Sequence, residues 1–301
     1  MMTATTKTPE SVLRFYHPVA TSTELRDELT TKLAGETYRV RRAGTAVRAE
    51  CEAAHRRPRV LEHEGTIWLA DARFPEPERP AVDFRAEGFE RAGTDRVVFP
   101  APQHVAFDNF SEDEHTPWVH SFLGWQESAA AKVDFEYEKL EDRTKVRYRG
   151  IQRPHVLTPL ILVRWGDTFH NAWVTTLDPV RTVYTLHWES PDGRRRPVTS
   201  RFAIYFVPLD ERTTVLHVIA YAKIEAPFGF LAPVVHAVVP RIGASEVMDD
   251  QRFIHHVAET PFELTGMRLG KFDAPLVHNR RLMKRIYFGG DHDARATNGV
   301  A

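Results

Sequence analysis

Asp108-Asn109-Phe110-Ser111-Glu112-Asp113-Glu114-His115-Thr116-Pro117-Trp118-Val119-His120 places two histidines five positions apart, in a stretch acidic before the first and aromatic between them. On an ideal helix, at about 100° per residue, five steps separate two side chains by roughly 140°. The pair converges on one ion only if the helix bends or ends between them, and Pro117 supplies a reason for it to do so. An H-x4-H pair alone specifies no metal among 15 histidines. Its context decides.

Upstream, residues 1–10 are polar. Thr21-Ser22-Thr23-Glu24 offers capping residues for a short helix through about Leu33, which Gly35 would end. Glu36 to Glu50 reads as two strands around Ala43-Gly44, and Gly65 to Ala70 as another. The Pro-rich stretch Phe74 to Pro80 marks a connector between a small unit and the rest. Downstream, Val133–Leu140, Thr144–Ile151, Ala172–Leu177, Val183–Glu189, Thr199–Val207 and Thr213–Ala222 read as a long antiparallel set. Its turns fall at Asp178-Pro179, Pro191-Asp192-Gly193 and Leu209-Asp210-Glu211. Helices are expected over about Ala244 to Ala258 and Ala274 to Ile286. Many antiparallel strands with a few long helices make an α+β fold.

Composition narrows the function classes. Forty basic and 41 acidic residues nearly cancel, which gives no bulk argument for nucleic acid or an anionic membrane. The run Arg194-Arg195-Arg196 follows a turn and reads as solvated. The apolar stretch Phe228 to Pro240, interrupted by Pro233 and His236, is too short for a span of about 20 residues and is expected to be buried or to line a pocket. Nothing at the start resembles a secretory signal. Cys51 is the single cysteine, so no internal disulfide can form, which fits a reducing, cytoplasmic setting.

The segment Asn109, Glu112, His115, His120 resembles the iron-binding signature of Rieske-type non-haem iron (aromatic-ring-hydroxylating) oxygenases, alpha subunit. That signature runs Asn, an acidic residue three later, a His three after that, and a second His five on. Further segments resemble the family in the same order. Phe206 to Thr214 looks like its Pro–acidic–Thr turn, Ala244 to Gln251 like the late helix with the carboxylate ligand, and His278 to Met283 like its closing Arg-rich helix. The resemblance implies an α+β helix-grip (START-like) catalytic domain over residues 97–287 with a long C-terminal helix, and a polar tail over 288–301. It implies a mononuclear Fe(II) site whose ligands are His115, His120 and Asp250, with Asp249 the adjacent alternative. Two imidazoles and a carboxylate on one face of Fe(II) leave cis positions for O2 and substrate. Glu112 stands where the family places an Asp linking metal centres between subunits; it is carried over as a carboxylate supporting catalysis.

Residues 1–80 resemble a shortened β-rich Rieske-type domain, through Arg14 to Ala20, the Gly44–Ala49 hairpin and Arg59 to Trp68. A [2Fe–2S] cluster there needs two Cys and two His in paired C-x-H and C-x2-H motifs; only Cys51 and His55 remain, at the wrong spacing, so no cluster is expected. Three readings follow. One is an iron oxidoreductase acting on a largely apolar or aromatic small molecule. Its electrons would come from the substrate or from a cluster-bearing oxygenase, ferredoxin or reductase partner, within a homo- or hetero-trimer. Another is a non-catalytic partner subunit of such an oxygenase. The third is a small-molecule-binding or non-redox helix-grip protein. Trp118, Phe122 and Trp125 pack in the core, the commoner role, or line a substrate channel; Trp165, His170 and Trp173 lie where the sheet is expected to face the cavity; and one of His255 and His256 is a candidate to support a ligand.

Overall fold

The computed structural model describes residues 8–53, 57–80 and 83–288. The N-terminal part forms two three-stranded antiparallel sheets. One has the order β1 (His17–Thr21), β6 (Thr66–Asp71), β5 (Pro58–His63); the other has the order β2 (Glu28–Leu33), β3 (Glu36–Ala43), β4 (Ala46–Cys51). The expected helix from Thr21 to Leu33 is not formed. Thr21 and Glu24 do bond each other, Glu24 accepting from the Thr21 amide at 2.6 Å, but they close a turn between β1 and β2. Leu29 to Leu33 then pair with Glu36 to Val40, and Ala34, at φ +51°, turns the hairpin. Leu33 is fully buried, so the apolar residues of this segment serve a strand period of two rather than a helical face.

The large sheet has seven antiparallel strands in the order β7 (Glu90–Phe99), β13 (Thr214–Ile224), β12 (Val198–Pro208), β11 (Val180–Glu189), β10 (Thr168–Leu177), β9 (Arg143–Ile151), β8 (Asp134–Lys139). From β8 to β13 it is a meander, and β7 closes onto β13. β12 and β13 read as nearly continuous apolar runs because both of their faces are covered. Phe202, Ile204 and Phe206 on β12, with Leu216 and Val218 on β13, enter the core under the helices. Their neighbours Ala203, Tyr205, Val207, Val215 and Ile219 enter a second core with Trp68 and Leu33 of the N-terminal sheets. Trp68 meets Tyr205 edge-on at 5.1 Å.

Four helices lie on the first of these faces: α1 (Gln103–Asn109), α2 (Thr116–Val119), α3 (Ala232–Ile254) and α4 (Ala274–Phe288). Of the expected tail, 289–301 lies outside the described residues, as does His55. α3 starts twelve residues before the expected Ala244, because Pro233 sits in its first turn, where no amide partner is lost, and it runs through Pro240. The apolar span is therefore longer than the sequence stretch implied. Phe228–Ile254, 27 residues containing an 18-residue window of mean hydropathy 1.3, is long and apolar enough to cross a membrane by length and composition. Here it lies along β7 and β13 with Val235, Val239, Ile242 and Val247 buried. Gly93 on β7 permits the approach at Pro240; a Cβ there would stand 2.9 Å from the proline ring. α4 is fastened to α1 by a buried ion pair, Arg280 Nε donating to both Asp108 oxygens at 2.9 Å.

Candidate metal centre

The two histidines converge because the helix between them is one turn long. His115 precedes α2 and His120 follows it in extended geometry, φ −85° and ψ 146°. Four residues do not hold a helix by themselves. Arg153 supplies the restraint: its guanidinium donates to the carbonyls of His120 and Trp125 and, at 3.4 Å, to that of Thr116. Gly124, at φ +85°, brings the following loop against Thr116, with no room for a side chain.

Asp250 enters from α3. Its Oδ1 lies 3.3 Å from His115 Nε2 and 3.4 Å from His120 Nε2, and the two Nε2 atoms are 3.1 Å apart. Asp249 points elsewhere, pairing with Arg252 at 3.1 Å. With metal–ligand bonds of about 2.1 Å, donor–donor edges of about 3.0 Å (octahedral face) to about 3.4 Å (tetrahedral face) follow, so the triangle has the size of one face of a coordination shell. Asp250 Oδ1 is buried and has no hydrogen-bond partner. A buried acceptor so placed demands a cation or a donor.

Carboxylates hold the far side of each ring. Glu112 accepts from His115 Nδ1, which fixes the tautomer and leaves the Nε2 lone pair facing the triangle. Glu246, one helical turn before Asp250, accepts from the Phe122 and Leu123 amides at 3.0 and 3.1 Å. Its Oε2 is 3.3 Å from His120 Nδ1, but the two are not aligned as a hydrogen bond, and His120 Nδ1 is otherwise unpartnered. Burial pushes Glu246 up to about 8, against the pull of the two amides. Burial, then Glu112, pushes Asp113 to about 8. His120 is lowered by burial. At His115, burial is outweighed by Glu112 and Asp250, which hold its pKa well above the ordinary value. The ring pair thus sits among buried carboxyl groups whose charged forms a cation would stabilise.

His115, His120 and Asp250 line a cavity of about 90 Å³. Its apolar wall includes Phe110, Leu186, Phe202, Ile204, Val218 and Val247. Besides His120 Nδ1 and Asp250 Oδ1, three further buried polar atoms of its lining residues have no partner: Asn109 Nδ2, Asp113 Oδ2 and Asn171 Oδ1. Gly243 leaves space for the Phe202 ring, which would lie 2.5 Å from an added Cβ.

None of the six candidates lines the cavity, and for Phe122 and Trp125 the core-packing reading is the one that holds. Trp118 and Trp165 are exposed, at 67% and 77%. Phe122, Trp125 and Trp173 are buried in the core but do not line the cavity. His170 faces the opposite side of the sheet from its neighbour Asn171, which does line it. His255 and His256 are exposed beyond the end of α3. Sequence reasoning missed Glu246 and Arg153. Glu246 carries a signal, an acid four residues before Asp250 on an otherwise apolar helix face; Arg153 carries none.

No protein-family model matches the chain, and no curated protein matches it. Solved structures do. A dicamba monooxygenase bound to 3,6-dichlorosalicylic acid superposes with TM-score 0.71 at 14% identity, over 92% of this chain and 98% of that one. A mutant of NdmA from Pseudomonas putida CBB5, with caffeine, gives 0.59 at 15%, over 92% and 91%. The carbazole-bound oxygenase in its ferredoxin complex from carbazole 1,9a-dioxygenase gives 0.60 at 15%, over 93% of each. The chain therefore shares the α+β fold of these oxygenases along nearly its whole length.

Proposed function

We propose that this chain is a mononuclear non-haem Fe(II) oxidoreductase of the Rieske-oxygenase type, acting on a small, largely apolar or aromatic molecule. The observation that carries the reading is the triangle of His115, His120 and Asp250 at the end of an apolar cavity. The donor set fits the ion: two imidazoles and one carboxylate, with a buried carboxylate oxygen unpartnered at the centre. Iron in such a set supplies O2 activation, with adjacent positions left for oxygen and substrate.

The rest is the work of this chain's residues. Glu112 keeps the proton on His115 Nδ1, so that Nε2 is the donor atom. Arg153 holds the His120 carbonyl and with it the ring's direction. Glu246, fixed by the Phe122 and Leu123 amides, stands beside the His120 ring on its other side. The apolar wall excludes water and favours a ring-sized substrate, and Asn109, Asp113 and Asn171 suit one bearing a hydrogen-bonding group. Residues 1–80 are read as a shortened Rieske-type domain. This sequence holds one cysteine, too few thiolates for a two-Cys, two-His cluster. Electrons therefore come from a cluster-bearing partner or from the substrate. The ferredoxin seen with a structurally similar oxygenase supports the first source.

Anaerobic Fe(II) titration tests the reading. One iron per chain, no acid-labile sulfide, and loss of binding in His115→Ala and Asp250→Ala are expected. Full occupancy in either variant would sink the ligand assignment.

A further inference from the structure

On the outer face of the sheet, β10 and β11 carry a second cluster. His170 and His187 are directly opposed across the two strands, and Glu189 lies two residues beyond His187 on the same face. We infer that His170, His187 and Glu189 form a second metal site, for a divalent transition ion of the Zn(II), Ni(II) or Cu(II) class, separate from the cavity site.

One donor atom from each residue lies within 4.8 Å of the others. His170 Nε2 is 3.2 Å from Glu189 Oε2, and His187 Nε2 is 3.8 Å from Glu189 Oε1. The shorter contact is not aligned as a hydrogen bond, and His170 Nε2 is shielded from solvent with no partner. The imidazoles stack at 4.5 Å and 9°; turning one ring about its soft terminal torsion brings both nitrogens onto one ion. Opposed positions of paired strands fix the spacing in advance.

Charge and donor type select the ion. His187 is held well towards its neutral form, pushed down to about 4 by burial and then by Arg195, which suits ligation. Arg195 and Arg149, the residue opposite His170 on β9, oppose a cation, but Arg149 is paired with Asp134 at 2.9 Å. Two imidazoles and one carboxylate rank Cu(II), Ni(II) and Zn(II) above the oxygen-preferring Mg(II) and Ca(II). The three side chains are 20–35% exposed, so a fourth position faces solvent. Asn171 points into the cavity while His170 points away, so the sheet separates the two sites, and an ion here clamps β10 to β11 without touching substrate.

Equilibrium dialysis of the tag-free protein against Zn(II) tests this. Two ions per chain are expected for the unmodified protein and for none of the single variants. His170→Ala, His187→Ala and Glu189→Gln each retain one, as does His115→Ala, and His115→Ala/His187→Ala retains none. Far-UV circular dichroism confirms folding, and the half-exposed Glu189→Gln serves if the histidine variants misfold. A stoichiometry unchanged by His170→Ala, His187→Ala and Glu189→Gln, or one that falls only with His115→Ala, would overturn the inference. Co(II) absorption gives an independent reading: the spectrum that persists in His115→Ala should vanish in the double variant, and its persistence there refutes the site.

Discussion

Glu112 is one methylene longer than aspartate, and it spends that reach on His115 rather than across open space. Removing its charge while keeping an acceptor tests this role. Glu112→Gln is expected to weaken Fe(II) binding by about 10-fold, within the range seen when a partner behind a ligating histidine is lost; isothermal titration at the unmodified affinity would refute it. At Gly243 the constraint is volume. Gly243→Ala drives a methyl into the Phe202 ring, which should cost about 1–3 kcal/mol of stability and displace the ring into the cavity. Urea unfolding reads the first effect and ligand-free crystallography the second; an unchanged midpoint counts against it.

α2 exists because other segments hold it. Arg153 satisfies carbonyls that a four-residue helix leaves open. Arg153→Ala should therefore leave the sheet intact, speed amide exchange over residues 116–120, and weaken Fe(II) binding. Unaltered exchange there would show that the turn is self-supporting. The α1–α4 clasp is of another kind, a buried ion pair whose half-removal strands a charge. Arg280→Ala should cost about 3–5 kcal/mol, while Arg280→Ala with Asp108→Asn should recover part of it. Equal losses in the single and double variants would show that the pair is not the cause.

Buried histidines and buried carboxyls make opposed contributions to the stability of the whole molecule in acid. Burial pushes His17 and His104 down to about 4 and His217 to about 3. Unfolded, each titrates near 6.5. Between about pH 6.5 and 4 the unfolded chain takes up protons that the folded chain refuses, so this contribution is complete above pH 6.5 and lost as pH falls. Asp108 and Asp273, raised to about 6, and Asp113 and Glu246, raised to about 8, all chiefly by burial, are protonated earlier in the folded state and oppose the loss. The contribution of one histidine is read by difference: between pH 7 and 5 the urea midpoint of His217→Gln should fall less, or rise more, than that of the unmodified protein. Parallel pH profiles for the two proteins would contradict the account.

Spacing and period made much of the molecule legible. Alternation at residues 36–50 and 143–224 specified strands, because a face-alternating pattern pairs in few ways. The His115–His120 spacing with Pro117 between required a broken helix, and that is what forms. The Thr21–Leu33 segment was misread because capping residues also close turns, and only Leu33 docking under β12 and β13 selects the strand. Two adjacent acids at 249 and 250 are equivalent in a sequence; their 100° separation on α3 turns one toward the histidines and the other toward Arg252. The cavity wall was not legible, since Asn171 rather than His170 faces inward only once the register of β10 against β9 and β11 is set. The sequence determined most of the strands and helices and supplied the candidate donor residues, through periodicity and chemistry local to the chain. The tertiary structure alone decided which donors meet, because contacts such as Glu246 with Phe122 and Arg153 with His120 join residues far apart in the chain.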